Sequence, residues 1–162
     1  MVRKATVNDH TDIMRIYDAA KTYMRENGNA TQWQGGYPYP ELVMVDIEAG
    51  NMYVLCTDDG RISACFGMFE GDDPTYAYIE GEWADGTPYV AVHRVASDGS
   101  ERGVFRRAFE FVSANHDHIR IDTHADNKTM QKAVEACGFV YRGIIYVGDG
   151  TPRMAYEWTR KK

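Results

Sequence analysis

The chain lacks any apolar run of the roughly 18 residues that a membrane-spanning helix requires, and it does not open with the charged-then-apolar pattern of a secretory leader. No membrane partner is expected, and the cytoplasm is the expected location. Cysteine is sparse. Cys56, Cys65 and Cys137 show no paired spacing, which argues against a disulfide framework. Cys56 and Cys65 lie in apolar, strand-like runs and read as buried free thiols in a reducing compartment. Cys137 faces inward on a helix, a poor place for a nucleophile. Metal-ligand clusters are missing too. His116 and His118 have a metal-like spacing, but no cysteine or carboxylate cluster accompanies them. They read as a solvated helix end, and no metal is expected. Nor is there an excess of positive charge. Eighteen lysines and arginines against 24 aspartates and glutamates leave a net charge of -6, which argues against a general nucleic-acid binder. That balance suits an amine-bearing partner, although solubility explains it equally well. Internal repeats, linkers and low-complexity stretches are absent.

What is present is an ordinary globular composition. With 162 residues, 44% of them hydrophobic, the chain is long enough for a sizeable core, and one domain over 1–162 is expected. The pattern is mixed α/β. Residues 2–5 read as a short first strand. Asp9 or Thr11 can cap a helix in which Ile13, Ile16, Tyr17, Ala20 and Met24 recur at helical spacing, stopped by Asn27 and Gly28. Residues 29–40 form a loop rich in glycine, proline and aromatics, and Pro40 opens a second helix over 41–49. Strands at 52–57 and 62–70 flank Asp58-Asp59-Gly60, a hairpin signal. A strand over 89–96, a helix over 103–115, a strand over 119–123 and a helix over 127–137 follow. Two strands, 140–147 and 154–158, close the pattern. The polar stretch 71–88 has no clear assignment. Within it, 76–83 (TYAYIEGEW continues to it from Thr75) reads as a strand over a groove or as an edge used in a dimer.

The strand at 89–96 runs into a polar turn, Gly103 and an amphipathic helix. A helix start after a strand offers unpaired N–H groups and a partial positive charge, a natural seat for a pyrophosphate. A second strand then leads to Asn127 and another helix, followed by Gly138-Phe139. This order resembles the GNAT superfamily of N-acetyltransferases, which use acetyl-CoA. The family's cofactor motif, Gln/Arg-x-x-Gly-x-Gly/Ala, falls on Ser100–Phe105. Gly103 matches, Ser100 stands for Gln/Arg, and Phe105 stands for the small residue. Local matches at Gln32-Trp33, Gly36-Tyr37-Pro38, His93-Arg94 and Asn127-x-x-Met130 resemble a bacterial branch known mostly by a generic acetyltransferase label.

The resemblance implies an α/β (α+β) acyl-CoA N-acyltransferase fold: a mixed central sheet, splayed between its fourth and fifth strands and flanked by about four helices. It implies acetyl-CoA as co-substrate, held by Val95, Ser100, Arg102, Gly103, Val104, Phe105, Asn127 and Met130, with Arg106 as a further phosphate partner. It implies direct attack of an amine on the thioester, and hence a base to take the amine's proton. His93, beside Val95, is the first candidate and Glu82 the second. Many relatives carry an acidic tyrosine four or five positions before Gly-Phe. Here those positions hold Val134 and Ala133, leaving Tyr141, Tyr146 or water as substitutes. Asp122 and His124, two apart on one strand face, are read either as a hydrogen-bonded pair or as a stabilised strand end. For the acceptor, Trp33 and Tyr37 offer aromatic faces and Glu80 negative charge, with His124 nearby. The alternative is a non-catalytic acyl-CoA-binding or interaction protein on the same fold. A homodimer is compatible with either reading.

Overall fold

In the computed structural model, which describes residues 1–161, eight strands and four α-helices follow in the order β1 (Val2–Lys4), α1 (His10–Glu26), α2 (Pro40–Glu48), β2 (Met52–Cys56), β3 (Ile62–Glu70), β4 (Glu80–Gly81), β5 (Val90–Ser97), α3 (Val104–Ser113), β6 (His118–Thr123), α4 (Lys128–Ala136), β7 (Val140–Tyr146) and β8 (Pro152–Thr159). Lys162, the last residue of the expected domain, lies outside them. The helix starts follow local chemistry. Pro40 occupies the first turn of α2, where its missing N–H costs nothing. The Asn127 carboxamide oxygen accepts from Met130 N at 3.1 Å and caps α4. Asp9 acts one turn before α1: it accepts from Thr6 N at 2.7 Å and pairs with Arg3 at 2.8 Å.

The strands form one mixed sheet in the order β1-β2-β3-β5-β6-β8-β7-β4. Strand β2 is buried throughout, so its two-residue period sorts side chains between two cores. Tyr53 and Leu55 join Phe105, Ala108, Val112 and Val134 of α3 and α4. Met52, Val54 and Cys56 join Ile13, Ile16, Tyr17, Val43 and Ile47 of α1 and α2. The two helix pairs thus cover opposite faces. On the α1 side, the outer half of the sheet is covered not by a helix but by residues 74–89. There Tyr76 packs on Ala91, Ile145 and Ala155, with Trp83 and Tyr89 beside them.

That covering segment differs from the sequence reading. Residues 76–83 are not a strand over a groove. Pro74–Tyr76 is a single 3₁₀ turn, and only Glu80–Gly81 pairs, against Gly143 and Ile144 at the outer edge of the sheet. His118 is not on a solvated helix end either. It begins β6, is buried, and donates through Nε2 to Glu157 at 2.6 Å. Glu157 also holds Arg120, Arg142 and the Ala84 N–H, and Arg120 lies 4.0 Å from the rings of both Trp83 and Tyr89. This cluster fastens the segment to the sheet.

The feature that matters for function is the parallel pair in the middle. Strands β5 and β6 have eight and six residues but pair only at Val90–Ile119 and Ala91–Arg120. Beyond that they diverge. This is the expected splay, between the fourth and fifth long strands; the short β4 makes the pair β5 and β6. On its other side β5 carries a bulge against β3. Cys65 faces Ala96 and Gly67 faces His93, so Arg94 and Val95 together oppose Phe66. Arg94 takes φ 52°, unusual for a residue with a side chain.

Candidate active site

Two cavities meet at the splay. The first, about 860 Å³, lies between β5, the start of α3, and α4, and its walls are largely apolar: Ala20, Val104, Met130, Ala133 and Cys137. Its mouth is the segment before α3. Gly103 adopts φ 68°, and a Cβ placed there meets no atom within 4 Å. The first intrahelical bond is Arg107 N to Gly103 O, so the N–H groups of Val104, Phe105 and Arg106 have no helical acceptor. Arg102 is exposed at this mouth and donates no hydrogen bond among the described residues.

Of the residues expected around a cofactor, Val95, Arg102, Gly103, Val104, Phe105, Asn127 and Met130 line this cavity. Ser100 does not. Its hydroxyl donates to Asp98 at 2.6 Å and accepts from Arg61 at 2.9 Å, making it a turn residue. Phe105 stands where the motif wants a small side chain, yet its ring turns inward against Phe139, 5.8 Å between centroids. The backbone beside it stays open, so the bulk does not fill the mouth.

The second cavity, about 560 Å³, lies on the α1 side of the sheet. Its floor is β5, β6 and the start of β8, and the loops around Trp33, Asp73 and Asp149 wall it. Met24, Val95, Asn127 and Met130 line both cavities, so the two adjoin there, with Val95 at the bulge. The bulge is held from α1 and α2. The Tyr17 hydroxyl donates to Arg94 O at 3.0 Å, and the Arg94 guanidinium pairs with Asp46 and donates to the Tyr37 hydroxyl at 3.2 Å.

His93 lies in this second cavity between two carboxylates. Its Nε2 donates to Asp73 Oδ2 at 2.7 Å, and its Nδ1 lies 3.8 Å from Asp122 Oδ2. The Tyr76 hydroxyl donates to that same Asp122 oxygen at 2.7 Å. Burial raises the Asp73 carboxyl, but hydrogen bonds from His93 and from the Thr75 hydroxyl and N–H outweigh it and hold Asp73 at about 2. An ionised carboxylate has only lone pairs to offer. His93 Nε2 therefore carries the hydrogen, and in the neutral form of the ring the lone pair is on Nδ1.

The remaining expected residues divide. Trp33 lines the cavity, its ring edge-on to Tyr17 at 5.5 Å, and Tyr37 lines it beside Arg94. Glu80 and Glu82 do not reach it. The first is bonded by the Tyr146 hydroxyl at 2.6 Å and the second is tied through its backbone to Arg142, both at the far edge of the sheet. The three strands β6, β8 and β7 separate them from β5, so Glu82 cannot serve as a base there. Tyr141 and Tyr146 lie on that same distant strand and line neither cavity. His124 lines neither cavity; it lies 3.0 Å from the hydroxyl of Thr31, a lining residue, and its Nδ1 accepts from Asp126 N. It does not pair with Asp122, which faces His93 instead. Asp73, Thr75 and Arg153 were not anticipated. Asp73 lies in a polar turn, Gly71-Asp72-Asp73-Pro74, that carries no signal beyond that of a loop.

A mixed sheet opened at one parallel pair, with a free helix start at the mouth, is the N-acetyltransferase architecture. A GNAT-family acetyltransferase from Streptococcus agalactiae is 28% identical over 100% of this chain and 96% of its own, with a TM-score of 0.91. GNAT-family acetyltransferases from Listeria monocytogenes and Bacillus cereus are 18% and 17% identical, with TM-scores of 0.71 and 0.65. They cover 98% and 100% of this chain, and 94% and 98% of their own. At that identity they speak to fold alone. No family profile and no curated protein matches the sequence. The chain belongs to the GNAT superfamily and is by class an N-acetyltransferase. Among the described residues, no helix is long and apolar enough to cross a membrane, and no cluster of three or more metal-binding side chains occurs.

Proposed function

We propose that the protein transfers the acetyl group of acetyl-CoA to a primary amine, with His93 as general base. The observation that carries this reading is that the two cavities share Val95 as a wall, with His93 on the same bulged strand two residues away. The larger cavity suits CoA. Its apolar wall fits a pantetheine arm, and its mouth brings the unpaired N–H groups of Val104 to Arg106 and the exposed Arg102 to a pyrophosphate. The smaller cavity suits the acceptor, with Trp33 and Tyr37 as aromatic walls.

In this scheme the ammonium of the acceptor first gives a proton to Nδ1 of His93. The charge that arrives on the imidazole falls between Asp73 and Asp122, and both attract it. The neutral amine attacks the thioester carbonyl. A C–N bond forms, the C–S bond breaks and its electron pair leaves on sulfur; the nitrogen sheds its second proton to solvent, solvent protonates the thiolate, and His93 then returns its own proton to solvent. Val95, at the bulge where ladder pairing is interrupted, lies beside both cavities and offers backbone to the developing oxyanion. The test is thiol release from acetyl-CoA over a panel of primary amines. His93→Ala should lower kcat by roughly two to four orders of magnitude with CoA affinity held. Tight CoA binding with no thiol release for any amine would defeat the proposal.

A further inference from the structure

Arg153 is a buried cation on the wall of the smaller cavity, 8% exposed. Its Nη1 donates to Thr151 Oγ1 at 3.0 Å and to Pro152 O at 2.8 Å, and Nη2 reaches Gln32 O at 3.4 Å. All three are neutral oxygens. Among the described residues no carboxylate lies within 4.0 Å of the guanidinium. Asp149, on the same wall, makes no direct bond to Arg153 and attracts it only through space, its Oδ1 being engaged by the Thr151 N–H and hydroxyl at 3.0 and 2.6 Å. Arg94, the other arginine on the cavity, is already paired with Asp46. A guanidinium removed from water without an anion is costly, and its planar fork fits a carboxylate through two parallel bonds.

The sheet sets the distance between this cation and the His93 cluster. Ala155 is the Cα partner of Asp122, and Arg153 lies two residues further along β8 on the same face. The offset along the strand is therefore about 7 Å. The cavity has two poles on one floor: carboxylates with an imidazole at one end, an unpaired guanidinium at the other. Its volume of about 560 Å³ is that of a small-molecule site.

We infer that the acceptor is a small zwitterion, a free amino acid or close analogue, whose amine meets His93, Asp73 and Asp122 while its carboxylate binds Arg153. The inference rests on the smaller cavity being the acceptor site. A polyamine or a protein lysine brings an amine but no neighbouring carboxylate, and would leave Arg153 without a directly bonded anion.

The experiment compares free amino acids with their own amides, along with polyamines and short peptides, by thiol release from acetyl-CoA. The best amino acid should exceed its amide in kcat/KM by roughly 100-fold. Arg153→Gln should shrink that ratio to about threefold or less, and Arg153→Lys should leave an intermediate ratio. Amides or polyamines that match the amino acids would overturn the inference while leaving acetyl transfer intact. So would a ratio that survives Arg153→Gln. If Arg153→Gln does not fold, the wild-type ratio of acid to amide decides alone. Calorimetry of amino acids against the CoA-loaded protein separates the two readings. Heat with acids and not amides, but no thiol release, would defeat the transfer reading and keep the carboxylate site. No heat from any amino acid would overturn the site.

Discussion

Changing Asp73 to asparagine alters one atom's chemistry and very little shape. Oδ1 of Asp73 accepts from Thr75 N at 2.9 Å and from the Thr75 hydroxyl at 2.7 Å, and an asparagine oxygen can keep both. The other position, 2.7 Å from His93 Nε2, then becomes an NH₂ donor. Two donors cannot face each other, so His93 must turn a lone pair toward Asn and carry its hydrogen on Nδ1. The nitrogen proposed to take the substrate's proton is then occupied. Electrostatics acts in the same direction. A unit charge pair near 4 Å is worth about 4 kcal/mol at an effective dielectric constant of 20. A transition state bearing part of the imidazolium charge loses a fraction of that, about 1.5–3 kcal/mol. Together with the tautomer change, Asp73→Asn should lower kcat by about 10²- to 10⁴-fold, within the range general-base catalysis supplies. The assay is steady-state thiol release from acetyl-CoA, with CoA affinity by calorimetry and the melting temperature measured alongside. Unchanged kcat, or a loss accounted for entirely by unfolding, would refute the assignment of Asp73 and with it the tautomer of His93.

Two further outcomes follow from the same geometry. Gly103→Val and Gly99→Val carry similar backbone strain, since both glycines have positive φ (68° and 81°) and neither Cβ meets an atom within 4 Å. Only Gly103 adjoins the free N–H groups of α3, so its variant should weaken CoA binding about tenfold more than the Gly99 variant by calorimetry, and equal losses would remove the pyrophosphate from this helix start. Glu157 concerns stability. Burial raises its carboxyl, but His118, the Ala84 N–H and Arg142 outweigh that and bring it from 4.5 to about 2. A lowered folded-state value stabilises above the unfolded value and is lost as pH falls, so the window is pH 4.5 down to 2 and the amount about 3 kcal/mol. Glu157→Gln should lower the melting temperature at pH 7 by roughly 10 °C and flatten the acid dependence in that window. Parallel acid unfolding curves for the two proteins would reject this account.

Local physics is legible along the chain. The helical spacing of Ile13, Ile16, Tyr17 and Ala20, the proline at the start of α2, the Asn127 cap and the glycine before α3 each act within a few residues, and each element stands where those signals put it. The position of His93 beside Val95 on a central strand is legible for the same reason. The surroundings of His93 are not, because they depend on which strands become neighbours. The parallel pairing of Ala91 with Arg120 carries Asp122 to the side of His93, and not to His124, two residues further along the chain and just past the end of β6. The turn at Asp73 folds back over the sheet and reaches His93 from 20 residues away. Glu82 is near the strand in sequence, yet pairing of β4 with β7 carries it to the opposite edge. Arg153 becomes a buried cation on the cavity wall only because β8 inserts between β6 and β7. Caps and periodicities are properties of a few consecutive residues, so the sequence alone determined the four helices, the long strands and the helix start after Gly103, but not the segment 71–88. The charges that face one another across a sheet are properties of strand order and register, and only the tertiary structure decided those.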